Sequence, residues 1–313
     1  MSTAADMTTT ANMSLHSPWR RRLAESWHVF RGNLLGKIGL SLLCLFGLMA
    51  ALSYVPQMID PAIYHPMTGV DPLVGHAAPP SLRHWLGTDF MGRDILSQLL
   101  AGARVAFLVG VTAAFMSVAL GVSIGMVSGY AGGWTDTVLM RLADMIMVMP
   151  TLLVILILSS LFGRLSIWTV VLLIAVFRWP GVSRVIRAQT LSLKQRPFID
   201  AARVSGAGHG RIIFRHIMPN VLPLAFLYMT FRVTSAIVIE AALAFLGFGD
   251  PSTVSWGMML QWVWKTGHMF QAPWWLLPPG ICISLITLSF YMLGRAMDEV
   301  LDPRLRKSQQ QAD

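Results

Sequence analysis

The chain has 313 residues, 55% of them hydrophobic and 12% charged, with a mean hydropathy of +0.60. A composition this apolar excludes an ordinary soluble domain, and apolar runs of about twenty residues, the length that spans a bilayer as a helix, recur along it. The net charge of +9 does not mark a nucleic-acid binder, because the basic residues gather in three places that all fall on one side if the chain crosses a membrane six times.

Those places are Arg20, Arg21, Arg22 and Arg31; then Arg184 and Arg187 with the cluster around Lys194–Arg215; then Arg304, Arg306 and Lys307. The opposite side keeps few, chiefly Arg83, Arg93, Arg164 and Lys265. This skew predicts an all-α integral membrane protein of six transmembrane helices, with both termini in the cytoplasm.

In chain order, Met1 to Asn33 reads as a polar, basic tail with a disordered Ser/Thr/Ala-rich opening. The first apolar run starts only at Leu34, too late for a cleavable signal peptide, so Leu34–Val55 is expected to be an uncleaved anchor. Pro56–Gln98 follows as a long outer loop with turn signals at Asp71-Pro72 and Pro79-Pro80. Within it, His84, Asp89, Arg93 and Asp94 could form a catalytic cluster. No nucleophile–base spacing or metal-ligand pattern accompanies them, so carboxylates and Arg93 holding a glycine-bent loop is the preferred expectation.

Arg104–Gly129 is the second expected span. It carries Gly121, Gly125 and Gly129 at four-residue intervals, a spacing that suits a close helix-packing seam. A third span reaches Phe162, interrupted by Pro150, with Arg141 and Asp144 placed to neutralise each other three residues apart. The fourth, Ile167–Val185, is broken by Arg178-Trp179-Pro180. The fifth, Val221–Phe248, contains Arg232 and Glu240, which stand too far apart to bond along a helix and make Glu240 a residue expected to face protein. Trp262, Trp264, Trp274 and Trp275 suit an interfacial belt before the sixth span, Leu276–Met297. Cys44 and Cys282 lie in apolar runs, so inert packing is expected of both, with no disulfide framework or metal site.

The longest polar interruption in the second half is Lys194–Pro223, KQRPFIDAARVSGAGHGRIIFRHIMPNVLP. Pro197 can start a short helix with Asp200 near its positive end, and Gly206 and Gly208 can end it. A second short helix, Arg211–Met218, is expected to stop at Pro219 before the next apolar helix starts near Pro223. Asp200-Ala201-Ala202, three residues, Gly206 and later Pro219 resemble the EAA loop of ABC-importer permeases. Asp stands for the usual Glu, His216 for Ile and Met218 for Leu.

Further stretches resemble one branch of that family, the permeases for dipeptides, oligopeptides and nickel usually called OppC/DppC-like. Leu86-Gly87-Thr88-Asp89-Phe90-Met91-Gly92-Arg93-Asp94 is similar to LGTD-x-x-GRD. Glu240 to Gly249 is similar to E-x-x-L-S-F-L-G-L-G, and Ser255-Trp256-Gly257-Met258-Met259-Leu260 to SWG-x-M-L. Leu301-Asp302-Pro303-Arg304-Leu305 resembles the branch's inner ending. The resemblance covers most of the chain from His84 to Leu305.

It implies the type I ABC-importer permease fold. The tail 1–33, the anchor 34–55 and the extracytoplasmic loop 56–98 would precede a permease core 99–303. That core would hold the coupling loop 194–223, followed by a cytoplasmic tail 304–313. It further implies that Asp200, Ala201, Ala202, Gly206 and Pro219 engage a separate ATPase, and that the chain is one half of a translocation pathway in the bacterial inner membrane. The implied partners are a homologous second permease, two ATP-binding subunits, an extracytoplasmic solute-binding protein and lipid, with no cofactor and no nucleic acid. Di- or oligopeptides are the implied cargo, with nickel chelates or small glycosides as alternatives.

The residues agree that the chain is not itself the ATPase. A phosphate loop needs a glycine-rich turn before Lys and Ser or Thr, and only Lys37 among the lysines follows a glycine, with Ile38 next. Two other classes fit less. A channel or secondary transporter would want inverted repeats, and no convincing repeat is present. An intramembrane enzyme would need a catalytic pair at bilayer depth, for which Asp144 and Glu240 are the candidates.

Overall fold

The structure, a computed structural model, describes residues 32–163 and 166–301. Arg20, Arg21, Arg22, Arg31, Arg164, Arg304, Arg306 and Lys307 lie outside the described residues, as do most of the two tails and all of the Leu301–Leu305 ending beyond its first residue. Among the described residues the chain is helical, and its β-type pairing is an isolated bridge between Thr88 and Asp94.

Helix α1 (Leu34–Ala51) begins where the Asn33 side chain accepts the Gly36 N–H at 2.9 Å, satisfying one of the free donors of its first turn. A 3-10 turn and two short helices, Val55–Ile59 and Pro61–Tyr64, then run into the segment expected to be loop. Helix α2 (Ile95–Ala131) also begins inside that segment. Asp94 explains the earlier start, because its carboxylate accepts the Ser97 N–H at 2.7 Å and caps the helix. Ser97 and Gln98 look loop-like by hydropathy, yet both are buried against the outer loop. At 37 residues α2 is about 55 Å long, far more than the roughly 30 Å of a bilayer's hydrocarbon core.

The glycine stripe on α2 is a packing seam, as its spacing suggests. A Cβ at Gly121 would fall 2.7 Å from Val182 Cβ, one at Gly125 2.6 Å from the Ser183 carbonyl, and one at Gly129 2.9 Å from the Arg187 carbonyl. The helix on the other side is α6 (Pro180–Lys194), which approaches so closely only because those side chains are missing.

The third and fourth expected spans are bent. Helices α3 (Gly133–Val148) and α4 (Thr151–Phe162) meet at 83°, where Met149 is held extended ahead of Pro150. Helices α5 (Ile167–Arg178) and α6 meet at 44° at Trp179-Pro180, and α6 continues to Lys194, well past Val185. Asp144 does not pair with Arg141. It pairs with Arg184 of α6, and Asp136 accepts both Nε and Nη2 of Arg187 at 2.5 Å, so two carboxylates on α3 bind two arginines on α6. An arginine placed before its carboxylate on one helix opposes the helix dipole, which leaves the cross-helix partner favoured.

The region after α7 (Pro197–Val204) also differs from expectation. Pro219 does not stop the helix. His209–Arg211, a π-helical stretch Ile212–Ile217 and α8 (Met218–Phe245) form one continuous helical run. The Met218 N–H reaches back to the Ile213 carbonyl, the i→i+5 pattern of a widened turn. Pro219 lies in the first turn of α8, where its missing N–H costs least, and Pro223 is inside the helix.

Helices α9 (Trp256–Lys265) and α10 (Pro273–Leu301) complete the described chain. Three apolar clusters hold it together. One joins α1, the start of α2, α9 and α10 around Phe46, Ile95, Trp256 and Trp275; one joins α2, α4, α5 and α8 around Val109, Ile155 and Ile174. The third joins the end of α2 to α6, α7 and the π-helical stretch. The tryptophan belt is only partly formed. Trp264 is exposed, but Trp275 is fully buried and stacked on Phe90, and Trp262 lies beneath the Arg93 guanidinium, because the outer loop folds over both. Cys282 is buried, whereas Cys44 faces outward from α1 instead of packing.

Candidate functional site

Three charged regions are candidates. The first is the outer loop. Asp89, fully buried, accepts the backbone N–H groups of Met91 and Arg93 at 2.8 and 2.9 Å, Arg93 Nε at 2.6 Å and Gln98 Nε2 at 2.8 Å. Arg93 stacks over Trp262 at 4.1 Å. His84 bridges Asp94 at 2.8 Å and Asp71 at 3.2 Å, and Asp71 also pairs with Arg83. Burial alone would raise the Asp71 pKa, but the Leu73 N–H, His84 and Arg83 together hold it below the usual 3.8. Gly87 and Gly92 supply the positive φ angles of 77° and 81° that the bends need. The polar atoms of His84, Asp89 and Asp94 are taken up by the loop and by the cap of α2. This is a clasp, and it does not arrange a nucleophile with a base.

The SWG stretch joins α9 to the same frame. The Trp256 indole donates to the Leu99 carbonyl at 2.9 Å and covers Gly102, while a Cβ at Gly257 would fall 2.2 Å from the Ala241 carbonyl. Nearby, Glu240 is buried within the protein, with the Ser255 hydroxyl as its partner. Arg232 lies elsewhere, its guanidinium over Gly181 at the start of α6.

The second region is α7 and its surroundings. Pro197 takes the first position of the helix and Asp200 sits in its first turn, paired with Arg203 at 3.0 Å. The helix ends in a Schellman turn: Gly206, at φ 77°, donates to the Arg203 carbonyl at 2.9 Å, and Ala207 donates to the Ala202 carbonyl at 3.0 Å. Asp200, Ala201, Val204, Ser205 and Gly206 are exposed, and Ala202 is half-buried. Nothing lies within 4 Å of a Cβ at Gly206.

Beneath this surface, Ile199, Ile212 and Ile217 are at most 1% exposed and pack with Leu193 and Tyr130. Asp200, Ala201, Ala202 and Gly206 are therefore one surface, presented on an apolar pedestal. Pro219 belongs to the next element, the first turn of α8.

Motif reading missed the ties between this surface and α2. Lys194 donates to the Tyr130 carbonyl at 2.6 Å, and the Tyr130 hydroxyl bonds His209 Nδ1 at 2.8 Å. Tyr130 is the penultimate residue of α2, so the end of the longest helix is fastened to both flanks of α7. The available signal was the place of Tyr130, directly after the glycine stripe and before Gly132-Gly133.

The third region is the pair of half-buried arginines, Arg178 and Arg232, at the α5–α6 break.

Known proteins share this framework. The chain is 37% identical over 288 residues to a protein of Brucella suis biovar 1 named as a peptide permease, covering 90% of this chain and 91% of that one. It is 34% identical over 279 residues to the oligopeptide transport system permease protein OppC of Bacillus subtilis, covering 89% and 88%. It is 33% identical over 292 residues to the dipeptide transport system permease protein DppC of Alkalihalophilus pseudofirmus, covering 93% and 91%. Residues 121–307, which include α7, Arg178 and Arg232, match the binding-protein-dependent transport system inner membrane component. With four helices long and apolar enough to cross a membrane and two bent pairs besides, this is a multi-pass inner-membrane protein of the OppC/DppC-like kind. The chain belongs to the family of binding-protein-dependent transport system inner membrane components.

Proposed function

We propose that the chain is the permease subunit of an ATP-driven peptide importer, and that α7 with its Schellman turn is where an ATPase subunit docks. The observation that carries the docking assignment is an exposed helix with short side chains, Ala201 and Ala202, seated on buried Ile199, Ile212 and Ile217. Short side chains let a cleft approach the helix backbone, and the apolar pedestal passes a push to α2 and α8 without yielding. Peptide as cargo rests on the names of the OppC, DppC and Brucella relatives.

Six spans account for the helices if each bent pair crosses once. The termini and the Arg187–Pro219 segment are then cytoplasmic, and Pro56–Gln98 and Asp250–Pro273 face outward. ATP is hydrolysed on two partner subunits, a second permease closes the pathway, and a binding protein delivers cargo from outside. Conformational change driven by ATP would open the pathway alternately to the two sides.

Two measurements test this. In a background free of Cys44 and Cys282, a cysteine at Ser205 should be labelled only from the cytoplasm; labelling from outside removes the topology. Proteoliposomes holding this chain with its partner permease, ATPases and binding protein should take up a di- or tripeptide with ATP. Uptake of a nickel chelate or a small glycoside with no peptide uptake would overturn the cargo assignment while leaving the importer.

A further inference from the structure

Arg178 closes α5 and Arg232 lies on the facing side of α8. Arg232 reaches across to the α5–α6 break, its guanidinium passing Gly181, three residues along the chain from Arg178. Among the described residues neither guanidinium forms an ion pair, and the Arg178 Nε is buried with no hydrogen-bond partner. Glu240, the carboxylate further along α8, is eight residues from Arg232 and is occupied at Ser255.

Space has been made for this arrangement. A Cβ at Gly181 would fall 2.5 Å from Arg232 Nη2, so the first turn of α6 carries a glycine where the guanidinium passes. On α8, Tyr228, Arg232 and Ser235 recur at helical spacing as a half-buried polar stripe on a largely apolar helix. A stripe of that kind suits a wet passage better than lipid, and intramembrane charges commonly mark such pathways.

Two like charges at one helix break within candidate membrane-spanning segments repel, and their arrangement becomes favourable when an anion joins them. Guanidinium donors in a fixed fork match a planar carboxylate with two parallel hydrogen bonds. From this geometry we infer that Arg178 and Arg232, beside Tyr228, form a station for the C-terminal carboxylate of the peptide in transit. The inference rests on the peptide-importer function proposed above. It also gives the α5–α6 break a use, since one arginine rides on α5 and the glycine that admits the other begins α6.

The test compares trialanine with trialanine amide, each supplied at a concentration that saturates the binding protein, in proteoliposomes holding the whole complex. Wild type should import the acid in preference to the amide. R178Q and R232Q should each cut acid uptake about tenfold, the scale of one lost charge-assisted hydrogen bond, and leave amide uptake unchanged. R232K, which keeps the charge but loses the fork, should fall between wild type and R232Q. Co-purification of the partner subunits checks assembly.

An equal fall for acid and amide, or loss of the partner permease from R232Q, overturns the station and assigns the arginines to a carboxylate on the neighbouring subunit. Unchanged uptake of both peptides by R178Q and R232Q also overturns it. If R232Q fails to insert, R178Q and R232K decide, and equal acid-to-amide ratios in both and in wild type end the proposal. A wild-type complex that imports neither peptide removes the peptide function itself, and the station with it.

Discussion

Replacing Gly206 by leucine separates docking from folding. Gly206 is at φ 77°, where a residue with a Cβ pays about 1–2 kcal/mol, and no atom lies within 4 Å to clash with one. If the turn escaped that strain it would forfeit its two hydrogen bonds, at 2.9 and 3.0 Å, worth about 1 kcal/mol each. Either way the loss is confined to an exposed turn, while Ile199, Ile212 and Ile217 stay buried beneath it.

Membrane abundance of G206L should therefore match wild type, but the new side chain projects into the surface proposed above as the ATPase docking site. ATP hydrolysis and peptide uptake, measured together on the reconstituted complex, should lose their response to loaded binding protein. G206N should keep most of it, because Asn tolerates the left-handed region at little cost. D200N should be milder still, since a charge at an exposed helix start contributes about 0.3–1 kcal/mol. Normal stimulated hydrolysis and uptake in G206L would refute the docking role.

Gly125→Val should fail at an earlier stage, with low membrane abundance and a lowered melting temperature of the purified complex, because its Cβ would meet the Ser183 carbonyl at 2.6 Å. Glu240→Leu should lower complex stability by about 1–3 kcal/mol, the cost of stranding a buried hydroxyl such as that of Ser255, whereas Glu240→Gln should stay near wild type in a thermal melt. A change of cargo preference in Glu240→Gln with assembly intact would contradict this structural role.

Asp250 gives a pH prediction. Burial would raise its pKa, but the Ser252 hydroxyl and N–H and the Ile167 N–H, the last at 2.9 Å, outweigh burial and hold it below 3.8. A lowered carboxylate pKa contributes stability that is present above the ordinary value and lost as pH falls through the folded one. The start of α5 should keep its hydrogen-exchange protection from about pH 7 to 5 and lose it only below the usual carboxylate range. Asp250→Asn should weaken that protection already at neutral pH.

Much of the molecule was legible in one dimension because the bilayer imposes a one-dimensional rule. Each crossing needs a long apolar run with its backbone bonds satisfied inside it, and basic residues accumulate on one side, so spans and polar interruptions stand out in the composition. The short helix with Asp200 and Gly206 was legible for a local reason as well, since proline starts and glycine ends are set by backbone sterics alone. The glycine stripe likewise announced a close approach, although not which helix would approach.

Tertiary structure decided what local rules leave open. Hydropathy placed the start of α2 too late, because Ser97 and Gln98 are polar yet buried, Gln98 donating to Asp89 nine positions back on the outer loop. Pro219 reads as a helix stop, but a widened π turn absorbs its ring and lets the helix continue. Asp144 found Arg184 forty positions along instead of Arg141 on its own helix. Tyr130, Lys194 and His209 carry no motif, and their link exists only because α2, α6 and the start of the helical run after α7 converge at one end of the fold. Period and punctuation follow from a residue's near neighbours; the partner of a charge or the lid over a polar residue depends on which distant segments packing brings together.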